Sequence, residues 1–421
     1  MKKQNSMLKE VRQIFSKELS IKDPSSTVIR TFELVTCMVF HFVGQAKDFF
    51  TLESIRRALM VQTDAKINSS SFHERIGTNK LNLILYNLFT KFTSQNLALP
   101  LRGKNLCQML GVKDIYLQDS ATLSLYDRAS SFFSGTFQKS ALKWHFCFSI
   151  LSGSTLYSDY SSASSHDIKH FPKLSLLKNS LILVDLGYYC FSLFQKMKRA
   201  SVFFFSRVKE GSALKIVSIK EGLPTSCIGM TLSELEKVIY YRRDIDAVVE
   251  VKHKKETFQF RLVGFFNKKE RHYHFYITNL EGEVKKLRKL YNLRWQVELF
   301  FKGSRQSISL GRYPSGKPEI IMNLFFVSLI AAAIGMTLFQ IGCEYNRRHG
   351  KEEDSLSISV QRVFLVLNLI APQFKAYILE AFDRKPELPF EEKVESLIHL
   401  FSDPNKERMN TLQQILILLL S

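Results

Sequence analysis

Two aspartates stand where carboxylates are costly. Asp119 lies inside IYLQDS and Asp185 closes the run of LILVDLGYY, both apolar and β-like. An ionised carboxylate in such surroundings has to be paired, hydrogen-bonded or bound to a metal. A third carboxylate, Glu298, sits far along the chain in YNLRWQVELFFKGSRQ, residues 291–306. On a helical wheel Tyr291, Arg294, Glu298, Lys302 and Arg305 fall within an arc of about 80°, while Leu290, Leu293, Val297 and Phe300 take the opposite side. Each aspartate alone reads first as a strand-end cap or turn former. The helix alone reads first as a solvated face held by an i, i+4 pair between Arg294 and Glu298.

Read jointly, the three acids suggest different chemistry. Converging carboxylates bind hard divalent cations, Mg²⁺ in particular, which keeps waters and takes further ligands from substrate phosphate. Two such ions about 4 Å apart activate a water or a 3′-hydroxyl and stabilise the leaving oxygen of an in-line phosphoryl displacement. Glu298 among cations then makes sense, because metal and phosphate complete the charge balance.

The elements that must position these residues change character along the chain. Residues 1 to about 108 carry helical spacing, in TVIRTFELVTCMVFHFVGQ and LNLILYNLFTKFTSQNL, with Ser and Asn caps in INSSSFHERIGTNK. They read equally as a helix-turn-helix-like DNA reader or a plain bundle. From about 113, DIYLQDSATLSL, ALKWHFCFSILSG and STLYSDYSS predict a three-stranded meander. NSLILVDLGYYC, YYCFSLFQKMKRA and SVFFFSRV then predict a parallel strand–helix–strand crossover. Its carboxyl ends are where sites form in open α/β sheets. DAVVEV and TFQFRLVGFF mark residues 213–270 as a β-rich insertion, HYHFYITNL as a strand, and Asn279 as an N-cap for the Glu298 helix, with Glu281 and Glu283 near its positive end. Residues 346–421 read as a charged, mostly helical tail.

Charge narrows the partner. With 59 Lys+Arg against 39 Asp+Glu the chain carries a formal +20, so it attracts polyanions, nucleic acid first and an acidic membrane surface second. Residues 251–305 concentrate that charge, with 14 Lys/Arg against 5 Asp/Glu. The six cysteines show no C-x-x-C pair, and MKKQNSMLKEVRQIF lacks a signal-peptide core. A reducing cytoplasm is the expected setting. Residues 320–343 contain no charged side chain and are long enough to span a bilayer, but Asn323, Ser328, Thr337 and Gln340 favour a helix buried in protein. No G-x-S-x-G or Walker-type loop is present. His166, Asp167 and His170 make a weak metal candidate, and His272 and His274 read as ordinary strand residues. Trp295 could stack on an unpaired base, although the edge of a core face is the plainer reading.

The ordered set resembles the DDE transposases of bacterial insertion sequences, specifically the IS-four family that includes the Tn-five-like enzymes and carries a Y-(2)-R-(3)-E-(6)-K signature. Tyr291, Arg294, Glu298 and Arg305 keep that spacing, with Arg in place of the final Lys and Lys302 one turn earlier as the alternative. IYLQDSATLSL, LKWHF, SSHD, LVDLGYY, FFFSRVK and ITNL are the supporting matches. The resemblance implies an α/β, RNase H-like mixed sheet with flanking helices: a helical DNA-binding region over 1–108, core halves over 109–212 and 271–345 around the insertion 213–270, and a helical C-terminal region over 346–421. It further implies Asp119, Asp185 and Glu298 as catalytic metal ligands for Mg²⁺, with Mn²⁺ able to substitute. Tyr291, Arg294 and Arg305 (or Lys302) become phosphate contacts. Such enzymes cut double-stranded DNA at terminal inverted repeats and join the 3′-ends to target DNA, commonly as homodimers, in the bacterial cytoplasm. The alternative is a transposase-derived DNA-binding protein without activity.

Overall fold

A computed structural model describes residues 2–21, 23–24, 27, 29–44, 50–95, 104–239, 243–253, 256–288, 290–349, 358–383, 390, 394 and 397–401. The chain opens on helices α1 (Lys2–Leu19), α2 (Thr31–Gly44), α3 (Leu52–Thr63), α4 (Ser69–Ile76), α5 (Asn79–Gln95) and α6 (Lys104–Leu110). Side chains fix where they start. Thr51 and Ser54 cap each other's backbone N–H groups before α3, and Asn68 accepts from the Ser71 N–H at 2.7 Å before α4.

The described strands form one mixed sheet. They are β1 (Ile115–Ser124), β2 (Ala141–Ser149), β3 (Thr155–Ser162), β4 (Leu181–Val184), β5 (Phe203–Arg207), β6 (Lys215–Glu221), β7 (Ile245–His253), β8 (Glu256–Asn267) and β9 (His272–Thr278), in the order β3-β2-β1-β4-β5-β9-β8-β7-β6. The meander is the β3-β2-β1 edge, and helix α7 (Phe191–Arg199) carries the chain between the parallel strands β4 and β5. Side chains alternate across the sheet with period two, which explains the uninterrupted apolar run of β4. Leu181 and Leu183 enter the core shared with the large helices. Ile182 and Val184 enter a second core with Phe194 and Met197 of α7 and with Leu235 of α8 (Leu232–Val238).

The β-rich segment 213–270 extends the same sheet, because β9 pairs with both β5 and β8. A half-buried arginine makes this extension useful. Arg261 forms a two-pronged pair with Asp246, at 3.0 and 2.7 Å, and donates to the Leu280 and Gly282 carbonyls at 2.7 Å each. It thereby ties β7 and β8 to the strand that leads into the Glu298 region. Asn279 is not a helix cap. Its side chain accepts from the Phe204 N–H and donates to the Val202 carbonyl, both at 2.9 Å, locking that strand onto β5. The short helix that follows, α9 (Val284–Leu287), has Glu283 at its N-cap without a side-chain hydrogen bond.

Two long helices complete the core behind α10 (Trp295–Ser307): α11 (Pro318–His349) and α12 (Val360–Asp383). Both are long and apolar enough to cross a membrane, and the most apolar window of α11 is 100% buried inside the protein. Its polar residues find partners within the fold. Asn323 donates to the Ile76 carbonyl at 2.8 Å and accepts from Asn82 at 2.9 Å, Ser328 meets the Tyr313 hydroxyl at 3.0 Å, and Gln340 donates to the Ser152 carbonyl at 3.0 Å.

The charged tail expected from residue 346 onward is different where it is described. Helix α12 is an apolar core element, with Val363, Phe364, Leu367 and Phe374 fully buried. Residues 350–357, 384–389, 391–393, 395–396 and 402–421 of that expected region lie outside the described residues. Glycines admit α12 closely: a Cβ on Gly303 would stand 3.2 Å from the Gln361 Cα, and one on Gly335 only 2.3 Å from the Phe364 ring. Gly335→Ala is therefore expected to destabilise the fold by about 1–3 kcal/mol through overpacking, read as a lower urea midpoint. Pairing it with Phe364→Leu should return part of the loss.

Candidate active site

Strand register brings the two aspartates side by side. The parallel ladder between β1 and β4 ends at Gln118 opposite Val184, so Asp119, inside β1, and Asp185, just past the carboxyl end of β4, are the next residues on the two neighbouring strands. Asp119 continues along β1, its carboxylate accepting from the Ser120 N–H at 2.7 Å. Asp185 leaves β4 at the start of a 3-10 turn, Leu186–Tyr188.

Glu298 arrives from the other direction on α10. The expected apolar stripe is buried, with Leu290, Leu293, Val297 and Phe300 each at most 1% exposed. Phe300 stacks on Phe146 of β2 at 5.0 Å, and Phe301 meets the edge of Trp144 at 5.7 Å. This packing sets the helix across β1 and β2. One feature departs from the wheel: residues 290–294 are a 3-10 turn, and the α-helix begins at Trp295. Trp295 does not edge the core either, being 55% exposed. Sitting in the first turn of the helix and next to Arg294, it points away from the packed stripe.

A single guanidinium joins the three acids. Arg294 lies 3.4 Å from Asp119, 3.9 Å from Asp185 and 2.5 Å from Glu298. Burial first, with the neighbouring charges of Asp185 and Glu298 adding to it and the Ser120 N–H and Arg294 opposing, pushes the Asp119 carboxyl up to about 7. Three acids this close demand positive charge. Their oxygen-only donor set suits a hard divalent ion, so the residues present fit the metal that the sequence suggests.

The flanking residues divide. Tyr291 donates its hydroxyl to the Val184 carbonyl at 3.3 Å and packs on Tyr276 at 5.1 Å, which braces the strand end that carries Asp185. Arg305 is exposed and donates to the Thr122 carbonyl at 3.3 Å. Lys302 is exposed on the same helix.

The triple His166, Asp167 and His170 does not converge. Asp167 turns toward Lys143 at 3.1 Å and the Ser120 hydroxyl at 3.2 Å, whereas His170 pairs with Asp159 at 2.7 Å. The Asp167–Lys143 pair is what the sequence reading missed. A Cβ on Gly187 would stand 2.9 Å from the Asp167 carboxylate, so this acid wedges between the residue after Asp119 and the turn after Asp185. Below it His145 is fully buried, its pKa pulled down to about 4 by burial and by His170. Lys143 and His145 alternate with apolar Leu142, Trp144 and Phe146 in ALKWHF, and that period-two polar face was the available signal.

Residues 114–333, just over half of the chain, match the family described as the transposase DDE domain. The chain belongs to that family. All three acids of the site fall within the matched DDE segment. The chain is also 22% identical over 249 residues to the transposase for insertion sequence element IS1151 of Clostridium perfringens, a match covering 48% of this chain and 52% of that protein. It thus spans about half the length of that relative. Among solved structures it is similar to a piggyBac transposase synaptic complex with hairpin DNA, with a TM-score of 0.43 and 10% identity over 96% of this chain and 84% of that one.

Proposed function

We propose that this DDE-family chain is a metal-dependent transposase of a bacterial insertion sequence, with an RNase H-like core of the IS-four family. One observation carries the reading. Carboxylates from three separate elements, Asp119, Asp185 and Glu298, meet on one guanidinium within the family-matched segment, in a chain of formal charge +20. These acids hold Mg²⁺, with Mn²⁺ as a substitute. A bound pair of such ions supplies an activated nucleophile and charge stabilisation at the leaving oxygen.

The chain's own groups do the positioning. Tyr291 braces the Asp185 strand end, and Arg294 neutralises the acids and follows the scissile strand. Arg305 and Lys302 grip phosphates from the exposed face of α10, and Trp295 offers a stacking surface beside them. Residues 1–108 contribute DNA binding, 109–212 and 271–345 the two core halves, 213–270 the insertion and 346–421 the C-terminal region. The substrate is double-stranded DNA at the inverted repeats of the element, joined through its 3′-ends to target DNA by a homodimer in the bacterial cytoplasm.

The test uses DNA bearing the terminal inverted repeats that flank the gene. Cleavage at those ends and 3′-end joining are expected with Mg²⁺ or Mn²⁺. Tight binding with no cleavage under either ion would instead identify an inactive DNA-binding protein.

A pH dependence follows from Asp119. Because burial lifts its carboxyl to about 7, below that pH a proton competes with the metal. Metal affinity should rise with pH through 7 and level off, about tenfold weaker at pH 6 than at pH 8 for one competing proton. The stability effect has the opposite sign without metal: the raised acid favours the folded state at low pH, and this contribution is lost as pH rises through about 7. Calorimetric Mn²⁺ titrations at the two pH values, with melting curves in chelator, check both.

A further inference from the structure

A second cluster lies outside the carboxylate site, on the hairpin between β8 and β9. His272 and His274 are two residues apart on β9, so their side chains leave the strand on one face. Glu270, from the hairpin turn, reaches the same place. The His274 Nε2 is 2.6 Å and the His272 Nε2 3.3 Å from one oxygen of Glu270, and one ligand atom from each of the three residues lies within 4.8 Å of the others. The turn is well defined, since Asn267 accepts from the Lys269 N–H at 3.0 Å and its carbonyl accepts from the Arg271 N–H at 2.8 Å.

The orientation of His272 is the deciding detail. Its Nδ1 lies 3.2 Å from the Glu270 carbonyl oxygen, an acceptor only, so Nδ1 is a donor and Nε2 is the nitrogen turned toward the Glu270 carboxylate. That nitrogen and the carboxylate oxygen stand 3.3 Å apart, the spacing of two ligands each about 2.0–2.1 Å from one tetrahedral ion. A backbone carbonyl that fixes the tautomer is also the usual outer partner of a metal-bound histidine.

We propose that Glu270, His272 and His274 form a site for a divalent transition ion of the zinc class, separate from the oxygen-only carboxylate site. Two imidazoles with one carboxylate suit zinc, nickel or copper, whereas Mg²⁺ prefers oxygen ligands throughout. Three protein ligands leave a coordination position for water or a phosphate oxygen. The site's place in the fold gives it a use. Strand β9 runs antiparallel to β5, with Tyr276 opposite Arg207, so His274 and His272 extend past the carboxyl end of β5. That is the edge of the sheet where Asp185 follows β4. An ion here would pin the hairpin and add positive charge along the edge that carries the acids. The proposal does not depend on the transposase reading.

The test titrates Zn²⁺ into the full-length protein by calorimetry in buffer containing millimolar Mg²⁺, and follows Co²⁺ by its visible absorption. One equivalent is expected. Losing an outer partner of a metal ligand already costs 10- to 100-fold in affinity, so His272→Ala, His274→Ala and Glu270→Gln should each weaken binding at least about tenfold. These residues lie on an exposed hairpin, and circular dichroism with thermal melting verifies that the variants fold. Asp119→Asn and Glu298→Gln should leave the equivalent in place. No Zn²⁺ uptake in Mg²⁺ buffer, uptake unchanged in the hairpin variants, or uptake lost with the Asp119 or Glu298 variant would each overturn the proposal.

Discussion

Replacing Asp119 with Asn is expected to lower metal-dependent DNA cleavage at least about a thousandfold, which is about 4 kcal/mol of transition-state stabilisation. The substitution keeps size and hydrogen-bonding capacity while removing the charge. Asp119 is the most enclosed of the three acids, its side chain 15% exposed against 42% for Asp185 and 35% for Glu298. Its position in the interior of β1 leaves the backbone no freedom to bring another group into its place. DNA affinity should change by no more than about twofold, because affinity comes from phosphate-facing cations, and Asp119 is not one of them. Asp185→Asn and Glu298→Gln should behave alike in cleavage and binding. If Asp119→Asn cuts normally at the element ends, the assignment of the metal ligands is wrong. A parallel loss of binding would point to misfolding, which melting curves would expose.

The legible part of this site was the part written in local contrasts. Asp119 and Asp185 stood out because a charge inside an apolar strand needs a reason, and the sheet register then put them side by side. The buried stripe of the Glu298 helix followed from spacing alone. The less legible features depend on contacts between distant segments. Nothing near Asn279 reveals that its amide would bridge two backbone groups of the segment 202–204. Nothing near Asp246 foretells that Arg261 would hold the chain leading to Glu298 from β8.

The 3-10 turn at 290–294 escaped the wheel for a different reason. Arg294 has φ −56° and ψ −31°, dihedrals near both helix types, so the apolar spacing cannot distinguish a tight turn from the first turn of an α-helix. Helix α12 falls within the region that reads as a charged, mostly helical tail, yet its role is set by Gly303 and Gly335, whose missing side chains let it settle against α10 and α11. Trp295 is exposed beside a buried stripe, and apolar character alone could not place it.

Arg294 carries the second large effect. It is the group that touches all three acids, and only a planar fork can serve several carboxylates at once. Arg294→Ala is expected to reduce cleavage about a hundredfold and to destabilise the metal-free protein by about 1–3 kcal/mol, less than a fully buried pair because the side chain keeps some exposure to solvent. Arg294→Lys should fall between, restoring charge without the fork. The sign of the pH effect separates this role from simple packing. Without the guanidinium, the Asp119 carboxyl rises above the wild-type value of about 7, so the stability gap between variant and wild type should be flat from pH 5 to about 7 and widen as pH rises through 7 to 8 in chelator. Mg²⁺ should narrow that gap, because the ion supplies the charge that the arginine no longer does. Equal melting of Arg294→Ala and wild type in chelator at pH 8 would show that the acids do not need the arginine, and that its place is on the DNA alone.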